Sequence, residues 1–142
     1  MKTFHAQISE AVAKYERRME ATFRASAQDI AEEVTRPVAK GGRMRVHTGF
    51  LRSSLVASTS SMPYIDRSAR PPSDAAENSF RPNDSEIVLV IAGAQLGETI
   101  HLGFTASYAG YREALDLFVA SAAQNWGNIV RKNAAKSISA FR

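Results

Sequence analysis

The chain has 142 residues, of which 44% are hydrophobic and 23% charged, and it contains no cysteine. These values are typical of one globular domain, residues 1–142, with a single core. They exclude disulfides and thiolate metal sites, and no apolar run approaches the roughly 20 residues of a membrane span. The net charge is +4, and residues 38–62 carry four basic side chains and no acid. Such a segment is either a solvated loop or a surface that meets nucleic acid or an acidic protein.

The first element is a long amphipathic helix over residues 1–37, which Pro37 ends. Its apolar residues recur at spacings of three and four, which is the pattern of one helix face. They are Phe4, Ile8, Val12, Tyr15, Met19, Phe23, Ala27, Ile30 and Val34. Such a helix spans roughly 50 Å, whereas a domain of this length is about 37 Å across. We therefore expect the helix to bend, or part of its apolar stripe to pack on a neighbouring subunit.

A short motif follows this helix, with the sequence Thr48-Gly49-Phe50-Leu51-Arg52-Ser53-Ser54-Leu55. The hydroxyl of Thr48 is placed to cap a short helix, and Gly49 permits an unusual dihedral or a close backbone approach. Phe50, Leu51 and Leu55 then fall on one side of that helix. Arg52 is expected to point toward solvent or another chain.

A small antiparallel sheet is predicted next, interrupted by a long loop. Residues 55–62 form a first strand, and residues 63–84, which contain four prolines, form a long flexible loop. The apolar run 87–91 predicts a central strand. The alternation of apolar and polar residues over 100–104 predicts its hairpin partner.

The last element is a C-terminal helix over residues 114–139, in which apolar residues again recur at helical spacing. The predicted fold is therefore α+β. It combines a long N-terminal helix, a small antiparallel sheet with a long loop, and a C-terminal helix packed on one sheet face.

No residue pattern indicates a catalytic or metal centre. The three histidines, His5, His47 and His101, stand apart from one another and from acids at ligand spacing. No nucleophile elbow accompanies Ser53, so a hydrolase is not expected. We therefore predict no enzyme activity, no catalytic residue, no metal and no cofactor.

Two boxes in this chain resemble those of a family of small tailed-phage virion proteins, the neck, head–tail joining and tail-completion proteins. The first box is the TGxLRxSL motif of residues 48–55. The second is Tyr108-Ala109-Gly110-Tyr111-Arg112-Glu113, followed by a helix that opens near Phe118. The likeness covers roughly residues 1–135. The chain departs from the family after the glutamate, where it has Ala114-Leu115, and before the phenylalanine, where it has Leu117.

The resemblance implies a non-enzymatic virion protein of the head–tail junction or proximal tail end, assembled in the host cytoplasm. It implies a cyclic ring of identical subunits, most often six, that contacts neck, connector or tail-tube proteins. DNA would pass through the channel without sequence specificity. No membrane partner is expected. The candidate interface residues are Thr48, Gly49, Phe50, Leu51, Arg52, Tyr108 and Glu113.

Three further interpretations are open at this point. Within the same class, the protein is a tail terminator. In another class, it is a small basic nucleic-acid-binding protein that uses Lys40, Arg43 and Arg45 together with the basic residues near the C-terminus, Arg131, Lys132, Lys136 and Arg142. The third interpretation concerns two of the candidate interface residues. Arg52 and Glu113 either contact another subunit or form a local surface pair with each other. Alternatively, Glu113 caps the helix that follows it.

Overall fold

The computed structural model describes all 142 residues and places six α-helices around one two-stranded antiparallel sheet. The α+β class predicted from the sequence is confirmed. In chain order the elements are α1 Phe4–Thr35, a 3-10 turn Val38–Lys40, α2 Phe50–Ser53, β1 Leu55–Ser58, α3 Asp84–Gly93, β2 His101–Phe104, α4 Ala109–Asp116, α5 Phe118–Gln124 and α6 Trp126–Ala140.

The long N-terminal helix is confirmed as a single element of 32 residues, about 48 Å long. The hydroxyl of Thr3 caps it by accepting the Ala6 N–H at 3.1 Å. It ends at Thr35, two residues before Pro37, because the residue preceding a proline is pushed out of the helical region. All the buried residues of α1 lie in its second half, between Ser26 and Val34.

Helix α6 runs antiparallel to α1 and packs on one side of it. Thr22 shares a hydrogen bond of 2.9 Å with the Ser137 hydroxyl. The buried Asn133 amide donates to Ser26 at 3.2 Å and to Asp29 at 2.9 Å. Burial opposes the charge on Asp29, but the Asn133 hydrogen bond helps to lower the pKa of its carboxyl below the usual value. These polar contacts fix the register of the two helices, since buried polar groups require partners.

Helix α3 packs on the opposite side of α1. The Arg24 guanidinium donates to the Ala94 carbonyl at the end of α3, at 2.9 Å. Arg24 lies two residues from both Thr22 and Ser26, and two residues correspond to about 200° around a helix. Helices α3 and α6 therefore flank α1 from opposite directions.

The sheet joins β1 to β2 in an antiparallel register that pairs Leu55 with Phe104 and Ser58 with His101. Phe104 meets Phe118 at the start of α5 edge-to-face, with ring centroids 5.1 Å apart. The predicted packing of the C-terminal helical region on the sheet is made by this contact. Leu55, Phe104 and Phe118 belong to one cluster of 13 buried residues that draws on α1 to α5 and on both strands.

Two of the predicted strands are corrected by the structure. The run 87–91 is not a strand but the middle of α3, so the predicted hairpin with residues 100–104 does not exist and β2 pairs with β1 instead. Asp84 and Glu86 in the first turn favour the positive end of a helix, and Ile87 and Ile91 are its buried pair. The first strand stops at Ser58, whose hydroxyl accepts the N–H groups of Ser60 and Ser61 and turns the chain.

The C-terminal helix predicted over residues 114–139 is also corrected, because it consists of three shorter helices. Leu117 adopts a left-handed conformation with φ 56° between α4 and α5. A second break at Asn125 separates α5 from α6. The helix is therefore interrupted twice before α6 lies along α1.

The loop predicted over residues 63–84 contains neither helix nor strand before α3 begins at Asp84. It is attached to the rest of the fold at several points. The N–H groups of Asn78 and Phe80 donate to the carbonyls of His47 and Thr48 at 2.8 and 2.9 Å. These bonds lay the end of the loop along the first box. The predicted flexibility of this loop stays a prediction.

Candidate functional site

The first box forms α2 as predicted, but Gly49 and not Thr48 is its N-cap residue, and α2 ends at Ser53, so Leu55 lies in β1 instead of on the helix. The Thr48 hydroxyl accepts the Phe50 N–H at 3.2 Å. Gly49 has φ 86°, and a Cβ atom there would lie 2.2 Å from the carbonyl oxygen of Phe80. Both predicted reasons for a glycine, the unusual dihedral and the close approach, are confirmed. Leu51 is buried in the core.

The second box meets the first through aromatic side chains. The rings of Phe50 and Tyr108 are stacked with centroids 6.4 Å apart, and Phe80 meets Phe50 edge-to-face at 5.1 Å. Burial raises the pKa of the Tyr108 phenol above its usual value, against the opposing effects of the Leu51 N–H and the Arg112 charge. The phenol therefore stays protonated, and the aromatic cluster holds the two boxes and the loop together.

A pocket of about 420 Å³ opens where the two boxes meet. Its walls come from the segment before α2, from α2 itself, from the long loop and from α4. The lining residues are Arg45, Val46, His47, Thr48, Gly49, Phe50, Leu51, Arg52, Pro71, Tyr108 and Arg112. Six of the seven predicted interface residues, all except Glu113, thus lie around one concave surface.

Three guanidinium groups and one carboxylate set the charge of this pocket. Asp116, whose side chain is 7% exposed, accepts two hydrogen bonds from Arg112 at 2.6 and 3.1 Å and lies 3.6 Å from Arg45. Arg52 has no such partner, and its buried Nε has no hydrogen bond. A planar guanidinium with unused donors matches the two oxygens of a carboxylate or phosphate. The pocket is therefore suited to an oxyanion.

Glu113 turns away from this pocket and caps α5. Its two carboxylate oxygens accept the N–H groups of Val119 at 2.8 Å and Ala120 at 3.0 Å. The left-handed Leu117 places the start of α5 within reach of this side chain. The capping alternative is therefore confirmed, and Glu113 forms no ion pair with Arg52.

The three residues predicted to face a partner or DNA are all exposed but do not share one surface. Arg45, with 77% of its side chain exposed, stands at the rim of the pocket. Lys40 borders a second depression between α1 and α3, which Arg52 also lines. Arg43 lines neither the pocket nor the second depression. The basic segment therefore presents separate cations instead of one continuous stripe.

Sequence reasoning missed two members of the site, Arg112 as a pocket wall and Asp116 as its anchor. The sequence does indicate that Arg112 and Asp116 pair, because their spacing of four residues places them on one face of a helix. Their proximity to Arg45, by contrast, depends on tertiary packing that no local pattern records.

No group of three or more His, Asp or Glu side chains is arranged to hold a metal ion, and no helix combines the length and apolarity needed to cross a membrane. Searches against protein-family models, curated proteins and solved structures found no match to this chain.

Proposed function

We propose that this chain is a non-enzymatic structural virion protein of a tailed phage or phage-like particle. In this proposal it forms a cyclic ring, of six subunits by the family resemblance, at the head–tail junction or the proximal tail end. The observation that carries the proposal is the apolar stripe on the first half of α1. It includes Phe4, Val12 and Tyr15, which are 78%, 50% and 58% exposed. Apolar side chains in such a row favour burial against another chain.

The oxyanion pocket gives the proposed ring a second kind of contact. A carboxylate from an adjacent subunit or ring layer would neutralise part of the charge of Arg45 and Arg52. The long loop contributes Pro71 to the pocket wall, so a partner bound there would also touch the loop. Contacts of this kind fix register and partner choice more than they add affinity.

Changing Arg52 to glutamate is expected to weaken assembly at least tenfold while the unfolding midpoint of the dilute protein changes little. The new carboxylate repels the incoming one, and Arg52 has no hydrogen-bonded partner to lose at its buried Nε. Native mass spectrometry over a concentration series measures the effect. Arg43→Glu is the matched control, since it makes the same charge change at an exposed arginine outside the pocket. Equal assembly of both variants would remove Arg52 from the interface.

A second candidate function, a small basic nucleic-acid-binding protein, is favoured by the exposure of Lys40, Arg43 and Arg45. It predicts binding to duplex DNA that weakens steeply as salt is raised. The ring proposal predicts little binding of DNA by the free subunit. A fluorescence-anisotropy titration at two salt concentrations separates these outcomes.

The decisive experiment for the proposed function is deletion of the gene from the particle-producing host, with the lysate imaged by negative stain. Filled heads beside separate tails of normal length are the expected result for a neck or tail-completion protein. Tails of uncontrolled length would instead identify a tail terminator. Intact joined particles would contradict the whole proposal and leave the nucleic-acid-binding function as the better candidate.

A further inference from the structure

The segment that leads into the first box has two backbone donors that point away from the long loop. The carbonyls of His47 and Thr48 accept the N–H groups of Asn78 and Phe80 at 2.8 and 2.9 Å. No peptide bond in the chain is cis, and in a trans peptide the N–H points opposite to the carbonyl of the same peptide unit. The N–H groups of Thr48 and Gly49 therefore point away from the loop, and neither donates a hydrogen bond within the chain.

These two N–H groups belong to the pocket where the two boxes meet, because Thr48 and Gly49 both line it. Gly49 is buried, and buried backbone donors normally have a partner. Two successive N–H groups that point the same way form a nest, a concave arrangement of partial positive charge that binds anions. The pocket therefore combines a backbone nest with its arginines.

Two arginines of the same pocket keep unused donors. Arg112 uses its Nε and one Nη for the Asp116 carboxylate, which fixes the guanidinium and leaves the other Nη free. Arg52 also borders the depression between α1 and α3, but it forms no ion pair with Glu32 or Asp84 there. Only the Nε of Arg52 is enclosed without a partner, so both of its Nη groups are accessible. Donors held in place before a ligand arrives favour tight and specific binding.

The shape of the pocket favours a protein segment over duplex DNA. Val46, Leu51 and Pro71 form apolar walls beside the donors, and the volume of about 420 Å³ leaves room for an apolar side chain next to the anion. A duplex presents its phosphates on a convex surface and is bound by a continuous basic patch or stripe. The separate cations of the basic segment do not form such a stripe. A carboxylate, in contrast, matches the planar fork of a guanidinium and can enter a concave site.

We propose that this pocket binds an acidic segment of a partner protein, whose Asp or Glu carboxylate is held by the nest of Thr48 and Gly49 and by the guanidinium groups of Arg52 and Arg112. An apolar residue beside that acid packs on the apolar walls. The inference deepens the proposed function and rests on it, since the segment belongs to an adjacent subunit or ring layer.

The probes for this inference are the peptide acetyl-Leu-Glu-Leu-amide and its glutamine counterpart, which has the same shape but no charge. Two-dimensional amide NMR spectra are recorded at concentrations where the chain is monomeric. The glutamate peptide, at millimolar concentration, is expected to shift the amide signals of Thr48 and Gly49, and the glutamine peptide is expected to leave them unchanged.

Variants of Arg52 test the role of the guanidinium. Arg52→Gln is expected to weaken binding of the glutamate peptide about tenfold, because charge-assisted hydrogen bonds are lost. Arg52→Lys keeps the charge but not the planar fork, so it should restore only part of the affinity. Arg43→Gln is the matched control, because it removes one charge at a residue outside the pocket, and its affinity should stay within about twofold of the unmodified chain.

The alternative outcomes separate this inference from the proposed function. Equal shifts from both peptides, or an unchanged affinity in Arg52→Gln, would overturn the inference. Tighter binding of inorganic phosphate or of a short DNA duplex at the same amides would overturn it as well, since the site would then serve a phosphoryl group. Assembly seen by native mass spectrometry without any binding of the glutamate peptide would overturn it while the ring proposal stands. Binding of the glutamate peptide by a chain that stays monomeric at every concentration would support the acidic partner and contradict the ring.

Discussion

Replacing Gly49 with alanine is expected to lower the free energy of unfolding by at least about 3 kcal/mol, which corresponds to a fall in Tm on the order of 10 °C. The residue has φ 86°, and the added methyl group would lie 2.2 Å from the Phe80 carbonyl oxygen. That oxygen belongs to the backbone of the long loop, so the clash is relieved only if the loop moves away. The Phe80 N–H bond to Thr48 and the ring contact with Phe50 would then be lost.

Gly41 provides the matched control for this substitution. It has the same φ of 86° but no atom within 4 Å of its ideal Cβ position, so Gly41→Ala carries only the left-handed penalty of about 1–2 kcal/mol. Urea unfolding at low protein concentration compares the two variants, and limited proteolysis tests whether residues 63–84 become accessible in Gly49→Ala alone. Equal losses of stability would mean that the close approach of the loop contributes nothing.

Changing Val12 to glutamate is expected to abolish assembly while leaving the fold intact. Val12 is 50% exposed in the single chain, and surface substitutions of this kind usually change stability by no more than about 0.5 kcal/mol. In the assembled state the same position would place a charge inside an apolar contact, which costs several kcal/mol unless the charge is paired. Native mass spectrometry should then show the monomer of 15.5 kDa where the unmodified chain forms oligomers.

Ala6→Glu introduces the same charge on the same part of α1 but about 120° or more around the helix from Phe4, Ile8 and Val12, and it should assemble as the unmodified chain does. The loss of Tm for Val12→Glu is measured on dilute, unassembled protein. Unfolding of this variant would mean that Val12 supports the core of its own chain. Normal assembly would show that the first half of the stripe is not an interface.

The strongest sequence signals concerned α1 and the first box. The stripe from Phe4 to Val34 is long enough for its period to identify a helix without ambiguity. Gly49 was informative because only a glycine tolerates both a positive φ and a carbonyl at contact distance. In both cases the local pattern and the tertiary structure require the same conformation.

The errors arose where a local pattern permits two structures. A five-residue apolar run such as 87–91 is compatible with a buried strand and with a helix, and the acidic residues Asp84 and Glu86 were the better guide. The break at Leu117 carries neither glycine nor proline, so composition gives no sign of it, whereas Asn125 is a residue type that favours a helix N-cap. The Glu113 carboxylate that caps α5 helps to stabilise the first of these breaks.

Only part of the pocket could be predicted, because tertiary packing and not a local pattern positions its other residues. Its floor is the contiguous first box, which the sequence displays directly. Its charge depends on Arg112, Asp116 and Arg45, which are brought together by the turn that follows β2 and by the packing of α4. A single sequence does not record which distant cations share one carboxylate.

Residues 4–17 of α1 make no hydrogen bond to another element, and this has a consequence for the rate and reversibility of assembly. A helical segment of about 14 residues without hydrogen bonds to the rest of the fold is only marginally stable in water and unwinds and reforms on the order of microseconds. Its backbone amides should therefore exchange hydrogen with solvent far faster than those near Ala31. Docking on a neighbour would protect them, and part of the contact energy would be used to hold the helix. Each single contact would then be weak enough for a misplaced subunit to leave before the ring closes.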